Sequence, residues 1–111
     1  PELFNRHGDN YRLRRTPGDR HLIPAAGAFS PRSGITLAIA TTTDCVQFFG
    51  GEYITPEPPS RTGRPYPPRA GFCLECQDYP DGANHPEISD IITTPDRPYE
   101  QRTEWRFTTV I

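Results

Sequence analysis

Alternation at every second residue is the feature that most constrains this chain. In "TEWRF" near its end, Glu104 and Arg106 fall on one side while Thr103, Trp105 and Phe107 fall on the other. The three- and four-residue spacing that a surface helix needs is scarce, so the chain reads as mostly β. "NYRLRR" (10–15) is a short candidate strand. "HLIPAAGAF" (21–29) and "GITLAIATT" (34–42) flank the turn sequence "SPRSG" and predict a hairpin. Pro24 lacks a backbone N–H, which makes the first of these an edge strand or a bulged one. "CVQFFGG" (45–51) is a short apolar strand closed by two glycines, and "AGFCLECQ" (70–77) is another. The ending "YEQRTEWRFTTVI" predicts a long strand with a charged, solvated side and a packed side built on Trp105 and Phe107.

Only 33% of the 111 residues are hydrophobic and 14 are proline, so the chain buries a modest core. Six of those prolines lie in "TPEPPSRTGRPYPPRA" (55–70). That stretch is read as an extended surface loop, with a proline-rich ligand for SH3-type domains as the alternative. A net charge of −2 gives no electrostatic case for nucleic acid or an anionic membrane. Every cation is arginine, which excludes a Schiff-base lysine within these residues. No apolar run has the length of a membrane span, and the start does not look like a signal peptide. Three cysteines, an odd count, fit a reduced, cytoplasmic setting better than a disulfide framework. The chain opens on Pro1 and contains no methionine, so residues 1–111 are expected to be one piece of a longer protein.

The stretch "GFCLECQDYPDGANHP" (71–86) admits two readings. A C-x2-C pair on a tight turn would suggest zinc, with His85 or Cys45 completing the site at an unfamiliar spacing. As a strand, Phe72, Leu74 and Cys76 point one way while Cys73, Glu75 and Gln77 point the other. The two cysteines then stand about 10 Å apart on opposite faces and act as small packing residues.

A carboxylate among Phe72, Leu74 and Cys76 is costly to bury without a partner or a task. Glu75 either pairs with an arginine on a neighbouring strand or serves a ligand. "CVQFF" has the same grammar, with Val46 and Phe48 on one side and Gln47 on the other. Two apolar strands that each present one polar residue to the same side resemble a cleft floor, where Glu75, partly desolvated, would serve as a general base.

These residues carry a resemblance. "TTDCVQFFGGEYI", followed after a loop by "RAGFCLECQDYPDGANHP", resembles the C-terminal part of the aldose 1-epimerase (galactose mutarotase) family. The family strand G-V-Q-F-Y-T-G is followed there by G-F-C-L-E-T-Q-x-x-P-D-x-x-N-H-P. "AAGAFSPRSGITLAIATTTDCVQFF" and the closing "TEWRF" are similar to the family's preceding hairpin and final strand. The resemblance covers most of residues 21–107. It implies an all-β fold, a large antiparallel β-sandwich of which this chain is the C-terminal part, with a hexose lying across a concave cleft.

By the same resemblance Glu75 is the catalytic base and Gln47 a sugar contact. Asp9, in "HGDNYRL", is the nearest match to the family's sugar-binding aspartate, in a segment one residue short of the family pattern. The family's histidine acid belongs to N-terminal motifs such as N-H-x-Y-F-N-L, which do not occur here. His7 and His21 stand in unrelated contexts, and His85 is expected to order its loop. The implied reaction needs neither metal nor cofactor. The base removes the anomeric hydroxyl proton, the acid protonates the ring oxygen, and the opened ring recloses as the other anomer. Two alternatives accompany this reading. One is a non-catalytic carbohydrate-binding module. The other is a hexose-6-phosphate epimerase whose phosphate would meet Arg12, Arg14 and Arg15, residues otherwise read as a solvated strand face. An unfinished sandwich exposes strand edges and an apolar face, so the expected partner is the N-terminal portion of the same protein or a second copy.

Overall fold

The structure is a computed structural model that describes residues 8–16, 18–54 and 60–110. Among these residues it contains six strands and no helix: β1 (Asp9–Arg12), β2 (Ile23–Phe29), β3 (Ile35–Thr41), β4 (Cys45–Phe49), β5 (Cys73–Gln77) and β6 (Thr103–Thr109). They form two antiparallel three-stranded sheets, ordered β1-β4-β5 and β2-β3-β6. The all-β expectation holds, and every stretch read as a strand contains one.

The hairpin joins β2 to β3 as "SPRSG" predicts. Ser30 N–H donates to Ile35 O at 2.9 Å and Gly34 N–H to Ser30 O at 2.8 Å. Gly34 has φ +70°, and a Cβ there would lie 2.4 Å from Val110 O, so both conformation and space require glycine. Pro24 acts in both ways foreseen: β2 is an edge strand, and its register shifts between Pro24 and Ala26.

"TTTDC" carries the chain from one sheet to the other. Thr41, Thr42, Thr43 and Asp44 are buried, which is affordable only because their polar groups are satisfied. Thr41 Oγ1 meets Thr43 Oγ1 at 3.0 Å and Thr103 Oγ1 at 3.1 Å, and Thr42 exchanges bonds with the Arg102 backbone at 3.0 Å in each direction. Asp44 accepts from Ser89 Oγ at 2.6 Å and lies 4.0 Å from Arg15 Nε. Arg15 in turn donates to Thr43 O at 2.7 Å and His21 O at 2.5 Å. A buried polar hub thus fixes the start of β4 to the segment after β1 and to the loop after β5.

The apolar core beside this hub is small: among the described residues, Ile39, Cys45 and Val46 are the buried hydrophobic ones. On β6 the charged side is as expected, with Arg102 bridged to Glu104. The other side differs from expectation. Trp105 and Phe107 pair with Ile39 and Leu37 along one apolar stripe, yet they are 51% and 64% exposed. The alternation correctly sorts the two sides, but the described residues cover the apolar one only at its Ile39 end and leave Trp105 and Phe107 half-exposed. The radius of gyration, 16.9 Å, agrees, since a closed domain of this length measures about 13 Å. Residues 60–70 form a turn-rich, mostly exposed connection, as the loop reading expects, and 55–59 lie outside the described residues. No helix among the described residues is long and apolar enough to cross a membrane.

Candidate active site

Register decides which side chains meet. In the β1-β4-β5 sheet, β4 is central, with Asn10 opposite Gln47 on one side and Glu75 opposite Gln47 on the other. Directly opposed residues share a face, so Asn10, Gln47 and Glu75 form a row across all three strands. Gln77, two residues beyond Glu75, joins this face and closes a small network. Its Nε2–H2 donates to Asn10 Oδ1 at 3.2 Å and to Gln47 Oε1 at 3.3 Å.

The opposite face carries Val46 against Cys76 and Phe48 against Leu74. There Phe48 and Phe72 approach to 6.3 Å between ring centroids, lining a hollow of 700 Å³ with Leu74, Ala28 and Arg69. The largely apolar hollow and the polar row therefore lie on opposite sides of one sheet.

The strand reading of "GFCLECQ" holds, and the alternation separates Cys73 from Cys76. Cys73 is exposed, Cys76 half-buried and Cys45 buried, all three as free thiols. Burial pushes the Cys45 thiol up, against a smaller opposing contribution from a hydrogen bond with Asn10.

Glu75 is exposed, and among the described residues it has no ion pair with an arginine. The arginine-partner alternative is thus not realised. The apolar walls expected to desolvate Glu75 are not supplied by the described residues either, since this face of the sheet is open. Gln47 stands beside Glu75 as expected. Asp9 does not join them. It pairs with Phe48, which turns it to the other face, and its neighbour Asn10 takes the place facing Gln47. A single-residue offset in so short a strand exchanges the two faces, and composition alone does not reveal it. Asn10 is the residue that sequence reasoning missed at this row, while Gln77 was placed on the Glu75 face by alternation but given no role.

His85 orders its loop as expected. Its Nδ1 lies 3.0 Å from Glu87 Oε1 and its Nε2 3.3 Å from Asp81 Oδ2. Glu87's carboxyl is held below the usual range by its own backbone N–H and then by His85. His7 lies outside the described residues. Arg15 is already committed to the Asp44 hub, so the arginine trio does not form a phosphate pocket here.

The sequence profile described as Aldose 1-epimerase matches residues 17–106, a range that holds both Gln47 and Glu75. The chain belongs to the aldose 1-epimerase family. The galactose mutarotase of Rattus norvegicus is 36% identical over 75 residues, 68% of this chain and 22% of that protein. That of Homo sapiens is 35% identical over the same length, again 68% of this chain and 22% of that protein. The aldose 1-epimerase of Escherichia coli (strain K12) is 33% identical over 101 residues, 89% of this chain and 29% of that protein. This chain thus spans between a fifth and a third of the aldose 1-epimerase relatives it matches. β1, with Asp9 and Asn10, lies outside the 17–106 match.

Proposed function

We propose that this chain supplies the base-bearing part of an aldose 1-epimerase site, as the C-terminal part of a single β-sandwich domain. The observation that carries the reading is the cross-strand pairing of Glu75 with Gln47 on an open face, with no arginine among the described residues neutralising the carboxylate. Glu75 takes the proton from the anomeric hydroxyl of a hexose. A histidine from the N-terminal portion protonates the ring oxygen, and the open chain rotates and recloses as the other anomer. The reaction asks for two proton-transfer groups on opposite sides of one bond. Gln47 holds a sugar hydroxyl so that the anomeric carbon stays beside Glu75. In this reading Asn10, rather than Asp9, is the β1 residue on the sugar side.

The same portion, packed over Trp105 and Phe107, would complete the sandwich and wall the cleft. Polarimetry of α-glucose and α-galactose with the full-length protein tests the assignment. Glu75→Gln should slow catalysed interconversion by about 10²–10⁴-fold, the range for a positioned acid or base. Rates near wild type would remove Glu75 from the mechanism. Calorimetric sugar binding by an unmutated protein that has no catalysed interconversion would instead identify a binding module.

A further inference from the structure

Each sheet ends in two edge strands, and three of these four edges are blunted. β2 carries Pro24 and a register shift, β1 is four residues long, and on β5 Gln101 Nε2–H2 donates to Cys76 O at 3.0 Å. β6 is the exception, a seven-residue strand in unbroken register with β3 and free of proline and glycine. The bonds at its ends fix the direction of its backbone groups. Thr42 N–H donates to Arg102 O at 3.0 Å and Val110 N–H to Gly34 O at 2.8 Å, so Arg102 and Val110 turn towards the β3 side. Antiparallel pairing alternates, so Glu104, Arg106 and Thr108 do the same, while Thr103, Trp105, Phe107 and Thr109 aim N–H and C=O away from β3. Among the described residues no strand meets those outward groups.

We propose that β6 pairs antiparallel with β6 of a second copy of this chain, about a two-fold axis at Trp105. Charge selects both the occupant and the register. With the axis at Trp105, Glu104 of each copy stands opposite Arg106 of the other, and the outward backbone groups of Thr103, Trp105 and Phe107 face those of Phe107, Trp105 and Thr103. An axis at Glu104 sets that residue against itself and Arg102 against Arg106, and an axis at Arg106 sets Arg106 against itself. Like charges directly opposite are destabilising, so only the Trp105 axis keeps most of the strand paired without repulsion. Arg106 has no ion-pair partner among the described residues, and self-pairing supplies one. The edge is thus self-complementary, as a two-fold interface requires.

The second copy lies along the edge of the sheet, whereas the N-terminal portion proposed above packs on its face. The inference is also independent of the role given to Glu75, which lies in the other sheet. Sedimentation equilibrium of the 111-residue chain should show a monomer–dimer equilibrium. Glu104→Arg should raise the dimer Kd about tenfold, because the axis counts each altered pair twice. Glu104→Arg/Arg106→Glu sets opposite charges across the axis again and should return Kd to within about threefold of the unmutated chain. A merely structural role for these residues would leave the double variant weaker than the single one.

Amide exchange on the unmutated chain, followed by NMR, serves if a variant fails to fold. The N–H groups of Thr103, Trp105 and Phe107 should be protected in the dimer and lose that protection on dilution, while those of Glu104, Arg106 and Thr108 stay protected throughout. A monomer at every concentration, a dimer in which the three outward amides exchange freely, or a double variant as weak as Glu104→Arg overturns the proposal. So does a monomer with the outward amides protected, because another segment of the same chain then holds the edge.

Discussion

Replacing Asp44 by alanine should destabilise the protein more than any change in the polar row. Asp44 is 4% exposed, and its ion-pair partner Arg15 has a side chain only 3% exposed. Two unit charges 4.0 Å apart, the observed Nε–Oδ1 separation, interact by about 4 kcal/mol at an effective dielectric of about 20. Removing one member of a buried pair strands the other, at about 3–5 kcal/mol. Arg15 keeps two carbonyl partners, Thr43 and His21, so the loss should fall at the lower end of that range. Arg15 Nε, buried and without a hydrogen-bond acceptor, has among the described residues only the Asp44 charge to balance it. Ser89→Ala, which removes one hydrogen bond to Asp44, should cost about 1–2 kcal/mol.

Urea unfolding of the full-length protein, followed by circular dichroism, measures these differences. The double variant Arg15→Met/Asp44→Ala should be more stable than Asp44→Ala alone, because no charge is then left stranded. A loss below about 1 kcal/mol for Asp44→Ala, or simple additivity in the double variant, would refute the reasoning that the stranded charge dominates. The consequence reaches the site, since Asp44 immediately precedes the strand that carries Gln47.

Two further outcomes follow from the thiols and the loop ion pair. In the 111-residue chain, iodoacetamide should label exposed Cys73 first and reach Cys45 only on unfolding, because burial both shields that thiol and disfavours its thiolate; peptide mass spectrometry reads the order, and early labelling of Cys45 would contradict its placement. The Asp90 carboxyl is held below the ordinary aspartate range first by Arg97 and then by the Ile92 N–H, so its contribution to stability is present above that range and lost as pH falls through the lowered value. Arg97→Gln should move the NMR-detected titration of Asp90 upward, and an unchanged midpoint would show that the arginine is not the cause.

Strand content was legible because β-branched and aromatic residues alternate with polar ones over each element. The pairing of Gln47 with Glu75 was legible for the same reason, as each is the polar member of an otherwise apolar strand. What escaped the sequence has two physical origins. Asp9 and Asn10 are adjacent polar residues in a four-residue strand, so neither carries a hydrophobic pattern that would choose its face. Asp44 and Ser89 lie outside regular strands and 45 positions apart, where no period links them, yet together they form the buried hub. Trp105 and Phe107 were assigned to the correct side of β6, but alternation specifies a face without supplying what covers it.

The pairing of β1 with β4 also bears on how such a sheet could change its ligand preference over time. Leu13 N–H is bonded to Asp44 O at 2.8 Å, which anchors β1 at its downstream end. Losing one codon among positions 10–12, with that anchor kept, would slide Asp9 opposite Gln47 and exchange a neutral neighbour for an anionic one. At this edge a change in spacing does what elsewhere takes a substitution, so gaps in related sequences around β1 carry as much chemical meaning as the letters beside them.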